Sequence, residues 1–134
     1  MAIQLTTTCR NAMMDSITTS VGTSAQVRIY SGTPPASANA ALSGNTLLAQ
    51  CDCSATFAPA ASGGVLTVNS ISNDISADAT GTASFFRVLQ SDGTTVVIQG
   101  TVGTSSADMI ANTVSFVAGG NVSISSFTLT APGA

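Results

Sequence analysis

The residues able to do chemistry are few. Among 134 positions stand six aspartates (Asp15, Asp52, Asp74, Asp78, Asp92, Asp108), three arginines (Arg10, Arg28, Arg87), three cysteines (Cys9, Cys51, Cys53) and one tyrosine, Tyr30; there is no His, Lys, Glu or Trp. Without histidine, neither a Ser–His–Asp triad nor a Cys–His pair can be assembled. General acid–base work near neutral pH is left to Asp, Cys and Tyr30. Two carboxylates suffice for a glycosidase, and Asp74 and Asp78, in Ser-Asn-Asp-Ile-Ser-Ala-Asp-Ala, are the pair to consider. That segment has no aromatic platform for a sugar ring, and Asp beside Asn in a turn-rich stretch reads as an Asx turn. Asn73, Asp74 and Asp78 also offer the oxygen ligands calcium takes, but the Asp-x-Asn-x-Asp-Gly loop pattern is missing. Cys51 and Cys53 flank one Asp and share a face of any strand. A disulfide between them would close too small a ring, and no His or fourth Cys completes a zinc site. All three are expected as buried free thiols. No enzyme activity, catalytic residue, cofactor or metal is expected.

What remains of the composition points to assembly. Hydrophobic residues make up 44% and charged residues 7%, against about 25% charged in an average domain. Polarity comes from 19 Ser and 19 Thr, whose side chains lose little rotamer entropy when held against a neighbour. A net charge of −3 does little to keep molecules apart. Three scattered arginines cannot build a phosphate-binding face, so nucleic acid is not expected as a partner. No run approaches the roughly 18 apolar residues of a membrane span. The opening Met-Ala-Ile-Gln-Leu-Thr-Thr-Thr-Cys-Arg lacks a secretory signal's basic start and apolar stretch, which implies use in the cytoplasm unless a leader has been removed.

The elements that must position these residues follow from periodicity. Cys9, Met13, Ile17 and Val21 recur every four residues and predict one helix over about 7–21. The Thr6-Thr7-Thr8 run supplies its N-cap and Gly22 its stop. From about 25 to 130 the pattern is β. Ala25–Ser31 alternates, placing Arg28 and Tyr30 on one face and Val27 and Ile29 on the other. Gly32-Thr33-Pro34-Pro35 opens a loop to about Asn45, Thr46–Cys53 is a possible strand, and Val65–Ile71 follows a second loop. Thr82–Gln90 and Thr95–Val102 form a hairpin across Ser91-Asp92-Gly93-Thr94, since Asp-Gly tolerates positive φ. A second hairpin is expected between Thr113–Val117 and Val122–Thr130. Short strands with frequent turns predict an all-β domain spanning 1–134: a two-sheet antiparallel sandwich, jelly-roll-like, with one short N-terminal helix.

Partner contacts are expected where strands carry more than a core needs. Adjacent Phe85 and Phe86 face opposite sides, so one, taken as Phe86, is free for another chain. Arg28 and Arg87 sit within strands and suit docking anchors, with Tyr30 beside them and Pro34 and Pro35 on the loop. The segment before the helix and the loop from Gly32 to Asn45 are expected as contact elements.

Several blocks resemble small virion proteins of tailed bacteriophages. They are Cys-Arg-Asn-Ala-Met-Met-Asp-Ser-Ile from Cys9, Val-Arg-Ile-Tyr-Ser-Gly-Thr-Pro-Pro-Ala from Val27, Gly-Asn-Thr-Leu-Leu-Ala from Gly44, Ala-Thr-Gly-Thr-Ala-Ser-Phe-Phe-Arg from Ala79 and Val-Ser-Ile-Ser-Ser-Phe-Thr-Leu-Thr from Val122. The resemblance implies a capsid cement (decoration) protein with a jelly-roll-like fold. Such a protein sits on the exterior of the virion head, bridges subunits of the major capsid protein and self-associates as a dimer or trimer; no catalytic residue carries over. A tail or baseplate protein is the alternative within the virion. A carbohydrate-binding, ice-binding or adhesin-type β module is the alternative of another class, though no flat Thr array, signal sequence or disulfide pattern marks one.

Overall fold

The computed structural model describes residues 2–134. Helix α1 spans Thr7–Val21; the Thr6 hydroxyl accepts from the Cys9 N–H at 3.2 Å, and Gly22 ends the helix at φ 76°. These caps are local chemistry, and they fall where the sequence predicts. The buried face does so in part. Arg10, Met14 and Val21 are buried and Ile17 half-buried, whereas Cys9 and Met13 are exposed. Ile17 and Val21 keep the expected face, and in the first half of the helix burial passes to Arg10 and Met14, because the helix docks there through Arg10. Its Nη2 donates to the Ala131 carbonyl at 3.0 Å, and its Nη1 reaches the Gly63 carbonyl at 3.5 Å. Asn11 and Asp15 add to the seam by accepting from the N–H groups of Gly64 and Ala61 at 2.8 and 2.7 Å.

The described residues form nine strands: β1 Gln26–Tyr30, β2 Leu47–Asp52, β3 Val65–Thr67, β4 Gly81–Thr82, β5 Phe85–Leu89, β6 Val96–Gly103, β7 Met109–Ala111, β8 Ser115–Phe116 and β9 Ile124–Thr130. Seven of them join in the order β2-β1-β5-β6-β7-β9-β3, and β4 pairs with β8 as a separate ribbon. The protein is therefore mostly β with one short helix. Every pairing is antiparallel except β6 with β7. Strand β6 turns the corner, pairing with β5 through Val96–Thr101 and with β7 through Val102 and Gly103.

The large sheet curls. Strands β5 and β9 are three places apart, roughly 14 Å in a flat sheet, yet Phe86 meets Phe127 edge-on with ring centroids 5.0 Å apart. Phe57 packs on Phe127 at 6.4 Å, and Val27, Ile29, Leu48, Leu66 and Met109 complete a core with no solvent access.

Two pairings depart from the predicted hairpins. The Asp92-Gly93 turn joins β5 to β6, Asp92 accepting from the N–H groups of Thr94 and Thr95 at 2.9 Å. The predicted strand over Thr82–Gln90, however, is broken at Ala83-Ser84, whose N–H groups bond to Val114 and Tyr30; the chain passes there from ribbon to sheet. Strand β8 then pairs with β4 rather than with β9. The turn after β8 is drawn to the 77–80 segment, with Gly119 N–H on the Ala77 carbonyl at 2.8 Å and Ala118 N–H on the Thr80 hydroxyl at 3.0 Å. Strand β9 pairs instead with β7, three residues that carry no sequence signal of their own. The free edge of β2 is closed by the segment that follows β3: the Gln50 N–H donates to the Asp74 carboxylate at 3.0 Å, and Asp78 N–H to the Leu48 carbonyl at 2.7 Å. A covered edge cannot template unwanted pairing.

Candidate functional site

On the sheet face opposite the Phe86 core, register places four polar residues in one row: Gln50, Arg28, Arg87 and Gln99, from β2, β1, β5 and β6. Two like charges directly opposite each other repel. Each guanidinium is drawn outward by its flanking amide, Arg28 Nε donating to Gln50 Oε1 at 3.0 Å and Arg87 Nε to Gln99 Oε1 at 2.9 Å. Arg28 Nη2 also reaches Gln26 Oε1 at 3.2 Å. Arg10 likewise bonds only to carbonyls, so every hydrogen bond of the three arginines ends on a neutral oxygen.

The loop from Gly32 to Asn45 lies over this row. Arg87 Nη2 donates to the Ala40 carbonyl at 2.6 Å and the Ser37 carbonyl at 3.4 Å, and Gln99 Nε2 to the Pro35 carbonyl at 2.9 Å. Asn45 Nδ2 ties the two loop ends by donating to the carbonyls of Ser31 and Thr33 at 3.0 and 2.9 Å. In the same face Tyr30 stacks on Phe85, centroids 5.3 Å apart and planes 17° from parallel. Between Ala38–Ala41 and Thr94–Val96 a cavity of about 330 Å³ remains, with Arg87 in its wall.

The six residues expected to touch a partner thus divide. Arg28, Tyr30, Pro35 and Arg87 are gathered at this face, Pro34 is exposed on the loop, and Phe86 is on the other face with no exposure. Tyr30 and Arg87 are each only 4% exposed. The side chains of Tyr30, Phe86 and Arg87, expected at a contact, are buried within the chain, and the loop expected to reach for another chain supplies the second cover of the sheet itself. Strand β5 is buried on both faces for that reason. Of the six, Pro34 and the half-buried Arg28 and Pro35 remain reachable.

Sequence reading missed the residues that do stand out. Ile75 is 80% exposed and Val117 63% exposed. The Asp74 carboxylate accepts from the Ser76 N–H at 2.9 Å, an Asx turn that puts Ile75 at its tip. Val117 follows the buried Phe116 and so faces outward. The two segments are joined by backbone bonds between Asp74 and Val122 and between Ala77 and Gly120. The only signal in the sequence was an apolar residue placed within turn chemistry.

Several of the chemistry-bearing groups are held by their neighbours or by burial. Asp74 has both carboxylate oxygens on backbone N–H groups, of Gln50 and Ser76, which answers neither the glycosidase nor the calcium arrangement. Among the described residues no three His, Cys, Asp or Glu side chains come together as a metal cluster. The Thr95 hydroxyl, with the N–H groups of Thr95 and Thr94, holds the exposed Asp92 carboxyl well below the usual range. Burial pushes the Cys51 thiol up to about 11 and the Cys53 thiol up to about 12. Cys9 is exposed, against the expectation that all three thiols are buried. A thiol reagent at pH 8 is therefore expected to label Cys9 alone in the native protein and all three cysteines in denaturant. Because the buried thiols titrate above the unfolded value of about 8.5, their contribution to stability is complete below that pH. It is lost as pH rises toward 11–12, where the unfolded chain ionises first; denaturant midpoints measured across that range check the sign.

Among the described residues no helix is long and apolar enough to cross a membrane. Comparison of the chain with protein-family models, with curated proteins and with solved structures finds no match.

Proposed function

We propose that this chain is a structural protein of a tailed-bacteriophage virion, a cement (decoration) protein that bridges major capsid subunits on the exterior of the head. The observation that carries the reading is the pair Ile75 and Val117, two of the most exposed large apolar side chains, on segments tied to each other by backbone bonds. Brought together, such side chains suit a contact surface. Few charges need to be stripped of water when such a surface is covered. The short blocks that resemble small virion proteins are what point to this assembly. Repetition over a shell multiplies a modest affinity per site, so each contact can be small. The role needs no catalysis, cofactor, nucleic acid or membrane, and it includes association of the protein with itself. A jelly-roll-like sandwich belongs to the same proposal: the corner strand β6 and the Phe86–Phe127 contact support two facing layers, β2-β1-β5-β6 and β7-β9-β3.

The test is co-sedimentation with purified heads, and separately with tails, of the phage whose genome carries the sequence. The intact protein is expected to bind heads. The double variant Ile75→Asp, Val117→Asp is expected to bind at least about tenfold more weakly, about 1.4 kcal/mol, with its denaturant midpoint unchanged. Binding to tails alone would move the protein to the tail or baseplate. Binding to neither overturns the reading.

A further inference from the structure

Between β6 and β9 runs a groove of about 290 Å³ that is a gap in the sheet itself. At one end β7 fills the space, pairing with Val102 and Gly103 of β6 and with Ile124–Phe127 of β9. Past Met109 the filler strand ends, while Ile98–Gly100 and Thr128–Thr130 continue as facing walls. Where β7 fills it the space is one strand wide, with flanking strands roughly 9–10 Å apart, and the groove continues from that end.

Its walls carry backbone groups turned into the gap. N–H and C=O groups of successive strand residues point alternately to the two sides. On β6, Val102 N–H turns to Ser84 on the β5 side and Thr101 N–H to the Asp108 carboxylate on the other; Gln99 therefore also faces the gap. On β9, the Phe127 carbonyl accepts from Val68 and Ala131 N–H donates to Gly64, both on the β3 side; Thr130 faces the gap. Asp108 closes the head of the groove by accepting from the N–H and hydroxyl of Thr101. The floor is apolar, with Phe86 and Phe127, and Gly100 lies so close to the Phe86 ring that a Cβ there would sit 2.9 Å from it.

We propose that this groove takes, as an added strand, the segment Ala2–Thr6 of a second copy, the two molecules exchanging these segments. The segment precedes the helix, alternates Ile3 and Leu5 with Gln4 and Thr6, and leaves Ile3 82% exposed. It carries no charged side chain, and the groove's one carboxylate is already engaged with Thr101, so neither surface has a charge to desolvate. It is anchored where exchange is easy: Leu5 N–H donates to the Gly133 carbonyl at 2.8 Å, three residues beyond Thr130. Two copies facing each other at that end can reciprocate, each laying Ile3 against the half-buried Ile98 and Leu129 of the other's groove while backbone pairs with Gln99 and Thr130. The inference rests on the self-association in the virion reading, and the two fail separately: a monomer that binds heads overturns the exchange alone.

Size-exclusion chromatography with light scattering, over a dilution series, tests it. The intact chain is expected to dimerise. Ile3→Asp, which spoils the segment, and Thr130→Pro, which removes a groove donor, are each expected to raise the dissociation constant at least about tenfold. Mixing the two variants is expected to recover part of the dimer, since one good segment then meets one good groove. Should Thr130→Pro not fold, deletion of Ala2–Gln4 with added intact protein as groove donor replaces it. A monomer at every concentration, or a dimer indifferent to these changes, overturns the proposal.

Discussion

Gly64→Ala is expected to destabilise the protein by about 2–5 kcal/mol. Two causes act together. Gly64 holds φ +76°, and a side chain there costs about 1–2 kcal/mol in backbone strain. A Cβ would also stand 2.4 Å from Cζ of Arg10, inside the guanidinium. Arg10 is only 8% exposed and would have to leave the carbonyls of Ala131 and Gly63, stranding groups that cost about 1–3 kcal/mol when buried without partners. A double-mutant cycle separates the causes. In an Arg10→Ala background the cost of Gly64→Ala should fall to the backbone term alone. Urea unfolding of the four proteins measures it, and an undiminished cost in that background would falsify the steric account.

Arg87→Ala is expected to cost about 2–4 kcal/mol and to release the Gly32–Asn45 loop. The guanidinium serves three acceptors, Gln99 Oε1 and the carbonyls of Ser37 and Ala40, and its stem helps fill the layer beside Tyr30 and Phe85. Removing it orphans the acceptors and opens that layer. Arg87→Met keeps the stem and loses the donors, so it should recover part of the stability and none of the loop order. Hydrogen exchange and limited proteolysis across residues 34–42 read the loop directly. Protection equal to that of the intact protein in both variants would show that packing alone holds the loop.

These two sites mark the boundary of what could be read from the chain. Caps and tight turns were legible because their causes are local: a hydroxyl at Thr6, a glycine at 22, Asp92 beside Gly93. The scarcity of chemistry was legible from absent residue types alone. The row Gln50–Arg28–Arg87–Gln99 was half legible. Alternation puts Arg28 and Arg87 on strand faces, but only register decides that they stand opposite each other under a loop. The expected second hairpin failed for a similar reason, since β8 and β4, some 34 residues apart in number, meet through bonds from a Gly-Gly turn to residues 77–80.

The sequence by itself determined a mostly β chain with one capped helix, poor in charge and in reactive groups, because each of those properties is local or compositional. Tertiary structure decided that the first half of the helix docks through Arg10, what covers the second face of β5, and where a groove opens between β6 and β9. Each of those depends on a long-range match, Arg10 to Gly64 and Ala131, Arg87 to Ala40, β6 to β9. Such matches carry no periodicity, since their partners are chosen by where the folded backbone brings a carbonyl or leaves room. Of the residues expected to meet another molecule, Tyr30, Phe86 and Arg87 consequently lie inside, while Ile3, Ile75 and Val117 stand exposed.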